Sequence, residues 1–176
     1  MIFLENEFGV EELLKLVNSR VFQIIFICLF SLLFCQLFKF IFFSIKEKKM
    51  NYRYLYTTGG FPSSHSALCI TLVTSLFLFQ MHDLHGKLDW SFTVSVIFSI
   101  IIIHDAMGVR LEASKHAKIL NHMTSDLPME EKEELGFGKK GTLKEMLGHK
   151  GLEVFGGILF GFVIGLCGYF IFVNLI

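Results

Sequence analysis

Four apolar runs, each long enough to cross a bilayer, constrain this chain more than any other feature. They lie at about 21–45, 63–81, 90–107 and 153–176, and a spanning helix needs roughly 20 mostly apolar residues. Inside a bilayer the backbone finds no water, so a run of this kind satisfies its own polar groups only as a helix. The predicted fold is therefore an all-α, polytopic membrane helical bundle of about four transmembrane helices. The composition agrees: 18% of the residues are charged and 53% are hydrophobic, where soluble domains carry nearer a quarter charged residues. A net charge of zero gives no basic field, so nucleic acid is not an expected partner. The four cysteines, Cys28, Cys35, Cys69 and Cys167, sit inside the apolar runs without a CxxC pair. They read as small hydrophobes rather than a disulfide framework.

Between and before the spans the chain divides further. Residues 1–20 form an N-terminal interfacial segment, and 21–176 a single membrane-embedded domain. Glu5, Glu7, Glu11 and Glu12 precede the first run, the opposite of the charge a cleavable signal carries. Val10, Leu13, Leu14 and Val17 recur at helical spacing, which predicts a short interfacial helix over 10–17. Val109, Ala113, Ala117 and Leu120 do the same over 109–123, an amphipathic helix without Gly or Pro. Residues 124–141 are charged and Gly-bearing, and are expected to be a mobile acidic loop.

Alternation of four spans puts loops 46–62 and 108–152 on one side. Of the 16 Lys and Arg, four fall in the first loop and eight in the second. The positive-inside rule assigns both loops to the cytoplasm, although a phosphate site would gather cations on its own side too. The expected location is the plasma (inner) membrane.

Three segments at those span ends carry chemistry. Gly59-Gly60-Phe61-Pro62-Ser63-Ser64-His65-Ser66 combines a tight turn, a proline suited to a first helical turn, and hydroxyls at a helix N-terminus. Such an end favours an anion, and His65 can protonate a leaving oxygen. A plain helix cap explains the same octet. Asp105-Ala106-Met107-Gly108-Val109-Arg110 places a charge pair at the membrane edge, either functional or an anchor for the amphipathic helix. Lys144 through Glu153 puts His149 and Glu153 four apart, so a carboxylate can orient an imidazole; a surface ion pair at a helix start is the alternative. Lys39, near the end of the first run, either snorkels to the interface or reaches into the shared polar site. Gly157, Gly161 and Gly165 form a small-residue stripe on which a helix packs closely, with a homo-oligomer as one outcome. Glu112 and His116 lack a nearby third ligand, so no metal site is expected.

With these motifs the chain resembles the divergent type 2 phosphatidic acid phosphatase family, which is related to acid phosphatases and vanadium haloperoxidases. The wider superfamily uses Lys-x6-Arg-Pro, Pro-Ser-Gly-His and Ser-Arg-x5-His-x3-Asp. Here Lys46-x6-Arg53 keeps the first spacing, Pro62-Ser63-Ser64-His65 the second with Ser for Gly, and His149-x3-Glu153 the end of the third with Glu for Asp. Leu143 stands where the third-motif Arg would fall, with Lys144 and Arg110 as candidate replacements. The resemblance implies His149 as nucleophile, Glu153 as its orienter and His65 as general acid, with Asp105 in the catalytic group. It implies that Lys46, Arg53, Ser63, Ser64, Arg110 and Lys144 hold phosphate, joined by Lys39 in the sharper of its readings. No metal or other cofactor is needed. The expected function is hydrolysis of a phosphate monoester of a membrane lipid; the alternative is a non-catalytic protein that binds or moves anionic lipids.

Overall fold

The computed structural model describes residues 15, 17–50, 52–57, 59–145 and 147–174, the Arg53 side chain excepted. The expected interfacial helix over 10–17 lies almost wholly outside the described residues. Among them there is no strand. The long helices are α1 (Arg20–Glu47), α2 (Ser64–Asp83), α3 (Trp90–Met107) and α6 (Gly151–Asn174), all apolar and long enough to cross a membrane. Between α3 and α6 come α4 (Val109–Met123) and the short α5 (Met129–Glu134), so the acidic stretch 124–141 contains a helical turn and a half rather than loop alone.

Side-chain caps set where the spans begin. Ser19 accepts from the Phe22 N–H, Ser63 from the Ser66 N–H and Asp89 from the Ser91 N–H, each satisfying a donor the helix itself leaves open. Pro62 thus lies one residue before the cap of α2, not in its first turn. The Ser91 hydroxyl, with its amide, also holds the Asp89 carboxyl below the ordinary carboxylate range.

α2 is the centre of the bundle. Half of its apolar window is buried, against 17–22% in the other three spans, so those three present most of their surface to lipid. The reason is compositional: α2 carries Ser66, Thr71, Thr74 and Ser75, which are small or form hydrogen bonds between helices. Thr71 donates to the Gly161 carbonyl at 3.0 Å and shares a 2.7 Å bond with Ser31 of α1. A Cβ built at Gly157 would stand 2.4 Å from the Ser63 carbonyl oxygen, and one at Gly161 2.3 Å from that of Ala67. The glycine stripe of α6 is therefore consumed by α2 of the same chain. The stripe is therefore not free to pack against a second copy of the chain.

Candidate active site

The site forms where α2 and α6 begin and α3 ends. Ser63 at the α2 cap donates its N–H to the Glu153 carbonyl of α6 at 2.8 Å, while the His149 N–H donates to the Ala106 carbonyl of α3 at 3.0 Å. These two bonds tie the loop before α2, the segment before α6 and the end of α3 into one unit. Gly60, at φ +94°, supplies the left-handed turn that brings the chain back into α2.

His149 precedes α6 instead of lying on it, yet its Nδ1 is 3.1 Å from Glu153 Oε2. The same oxygen accepts the Lys150 N–H at 3.2 Å, so the carboxylate caps its own helix while orienting the imidazole. The Gly60 amide lies close enough to interact with the same carboxylate. A carboxylate accepting at Nδ1 fixes the Nδ1–H tautomer and leaves a lone pair on Nε2. That Nε2 is buried and has no partner among the described residues.

His65, half-buried in the first turn of α2, faces it. The two ring centroids are 5.8 Å apart with planes at 65°, and His65 Nδ1 is likewise buried without a partner. Leaving a buried polar atom unpaired costs about 1–3 kcal/mol, and the large majority of buried side-chain polar atoms are satisfied in native proteins. Gln36 Oε1, Ser44 Oγ and Ser75 Oγ are also buried without partners among the described residues, but only these two unpartnered atoms sit on adjacent imidazoles, which makes this the candidate site.

Cations surround the pair. Lys39 is completely buried, its Nζ only 3.4 Å from the Thr57 carbonyl, and it lies within electrostatic reach of both Glu153 and His65. Of its two readings, the structure shows the one that points inward. Arg110 is also within reach of His65. It sits at the start of α4 with its Nε 2.5 Å from Asp105 Oδ2, so Asp105 aims a guanidinium that is otherwise half exposed. Ser63 and Ser64 are buried beside His65. Ser63 Oγ is used by the Ser66 amide and hydroxyl, the capping role.

Other expected residues are not gathered in. Lys46 is exposed in the last turn of α1, about two turns beyond Lys39. Lys144 is exposed on the segment before α6. The Arg53 side chain lies outside the described residues; its backbone belongs to the 310 turn Tyr52–Leu55. Glu112 bonds Lys115 at 2.7 Å, and no cluster of three metal-ligating groups occurs among the described residues. Asn121, which closes the helix that follows the Asp105–Arg110 motif in the family resemblance, had no role assigned from the sequence, and Ser114 gave no signal; both hold the segment before α6 from the side of α4.

Comparison with known proteins places this architecture. A family model described as the divergent PAP2 family matches residues 21–164. A Bacillus subtilis (strain 168) protein described as the uncharacterized membrane protein YuiD is 36% identical over 142 residues, covering 77% of this chain and 87% of its own length. No solved structure matches.

Proposed function

The chain belongs to the divergent PAP2 family, and from that membership and the facing histidines we propose that it hydrolyses a phosphate monoester of a membrane lipid. The observation that carries the reading is the pair of unpartnered nitrogens, His149 Nε2 and His65 Nδ1, on imidazoles 5.8 Å apart. His149 Nε2 attacks phosphorus and forms a P–N bond as the P–O bond to the lipid alcohol breaks. His65 gives its proton to the departing oxygen. Water, deprotonated by His65, then attacks phosphorus, the P–N bond breaks, and inorganic phosphate leaves. Glu153 holds His149 in tautomer and stabilises its charged form. Lys39 and Arg110 neutralise the phosphoryl oxygens, where most of the catalytic stabilisation in such transfers resides. Asp105 keeps Arg110 in place.

The hydrocarbon part of the substrate has a place beside this centre. Phe34 and Phe38 of α1, Phe61 and Pro62 of the loop, and Gly156, Leu159 and Phe160 of α6 line an apolar groove of about 380 Å³. Its wall at Phe61-Pro62 leads directly to Ser63-Ser64-His65, so a tail in the groove sets a headgroup at the histidines. The clustering of Lys and Arg in the two loops at this end supports a cytoplasmic orientation in the plasma membrane. A maleimide should label Lys140→Cys only after the membrane is opened.

The test uses purified full-length protein in mixed micelles with phosphatidic acid, phosphatidylglycerophosphate or a polyprenyl phosphate, in the presence of a chelator. At least one lipid should release phosphate. His65→Ala should lower the rate about 10²–10⁴-fold, the usual contribution of a general acid, and His149→Ala should abolish turnover. No release from any of the three, or full release by His149→Ala, overturns the reading. Lipid binding with an intact transport phenotype in His149→Ala would instead mark a non-catalytic lipid carrier.

A further inference from the structure

The nucleophile in this reading is not carried by a helix, so something else must fix its position. Four contacts run along the preceding segment. The Asn121 carboxamide accepts the Leu143 N–H at 2.7 Å and donates to the Leu143 carbonyl at 3.0 Å and to Glu145 Oε1 at 2.8 Å. The Ser114 hydroxyl donates to the Glu145 carbonyl. Gly148 lies so close to α4 that a Cβ there would be 2.3 Å from the Leu111 N and Cα. The His149 N–H ends the series on the Ala106 carbonyl.

Residues 121, 114, 111 and 106 meet 143, 145, 148 and 149 in that order, so the segment runs antiparallel along α4 to the end of α3. This strap is held at its far end by Asn121, between its ends by Ser114 and at its near end by the Ala106 carbonyl, so a change at the far anchor bears on where His149 sits. The far anchor is well made. A carboxamide offers the donor and acceptor of a peptide group, so Asn121 pairs Leu143 as a neighbouring strand would. The network also settles the amide's orientation, because only its oxygen can accept the Leu143 N–H.

We infer that Asn121, with Ser114, is a positioning residue that sets His149 against phosphorus by pinning the far end of this strap. The inference rests on His149 being the nucleophile. Leu143, which takes the place of the third-motif Arg, serves the anchor through both of its backbone polar groups.

The experiment reads two quantities on the full-length protein in detergent: amide hydrogen exchange over 143–149, and kcat and KM on whichever of the three lipids is hydrolysed. In Asn121→Ala and in the double variant Asn121→Ala/Ser114→Ala, exchange should quicken over the strap while α2 and α6 stay protected. kcat should fall about 10-fold in the single and about 100-fold in the double variant, the cost of a misplacement near 1 Å. KM should stay within about twofold, since the phosphate and tail contacts are untouched. Asn121→Asp should be impaired by setting a carboxylate against the Leu143 carbonyl and Glu145; adding Glu145→Gln restores one of the two donor contacts and should recover part of kcat. Unchanged exchange over the strap overturns the inference, as does a released strap with unchanged kcat. If the wild-type protein hydrolyses none of the lipids, the phosphatase reading fails by itself and the exchange measurement alone decides whether Asn121 holds the strap.

Discussion

At the end of the bundle where α1 begins, Arg20 donates to both carboxylate oxygens of Asp83, at 2.7 and 3.1 Å, and to the side-chain Oε1 of Gln23 at 2.9 Å. Its guanidinium also lies over the Phe79 ring, 4.9 Å from the centroid. Gln80 close by spends its amide on Asp89 and Ser91. At the other end, His65 Nδ1 and His149 Nε2 are buried without partners and Lys39 is buried with one long hydrogen bond. Both ends bring polar groups into an apolar bundle. One end satisfies them with each other, which ties helices together; the other leaves two imidazole nitrogens open, as the proposed site requires. The contrast separates polar residues that hold the fold from those the proposed mechanism uses.

The largest change expected from breaking this contrast, beyond the loss of His149 itself, is at Glu153. Glu153→Gln keeps the shape but can no longer stabilise the imidazolium, so phosphate release should fall on the order of 10⁴-fold, by analogy with other carboxylate–histidine pairs. Thermal unfolding should move little, because the Gln carbonyl still accepts from the Lys150 N–H. A large fall in melting temperature with unaltered kcat would place Glu153 among the structural residues instead.

Next comes the closed end. Arg20→Met keeps the packing over Phe79 but removes the bidentate pair with Asp83, whose two side chains are about one-third exposed. The expected loss is about 1 kcal/mol, or a fall of roughly 3 °C in melting temperature for a chain of this size. Phosphate release should stay near the wild-type rate. A variant with normal stability and lost activity would show that the two ends are coupled.

The same contrast explains what the sequence made legible. The spans were readable because an apolar run in a bilayer has one backbone solution. The expected run 90–107 coincides with α3, and 21–45 differs from α1 by one residue at its start and two at its end. Alternation then gathered His65, Asp105, Arg110, Lys144, His149 and Glu153 at one end without any knowledge of packing, though the fold leaves Lys144 exposed there. Lys39 was ambiguous because snorkelling and inward burial require the same sequence; only its complete burial separates them. The glycine stripe fits a helix of the same chain or of another equally well, and the small groups of α2 decide. The strap was invisible because its partners, Asn121 with Leu143 and Ser114 with Glu145, are 22 and 31 residues apart. They follow no period.

The smallest expected effect falls on the cations that spacing suggested and the fold leaves outside. Lys46 matches the first-motif spacing, but on α1 it lies about 10 Å beyond Lys39 along the axis and is exposed. An exposed ammonium acts on a buried phosphate only through water, where screening reduces its pull to a small fraction of that of a buried neighbour. Lys46→Ala should therefore change kcat and KM by less than about twofold, while Lys39→Met, isosteric and neutral, should cost far more at the same substrate concentration. A salt titration sharpens the pair: any residual effect of Lys46 should fade as ionic strength rises, and that of Lys39 should not. Equal losses in the two variants would mean that the loop after α1 closes over the bound headgroup and carries Lys46 inward.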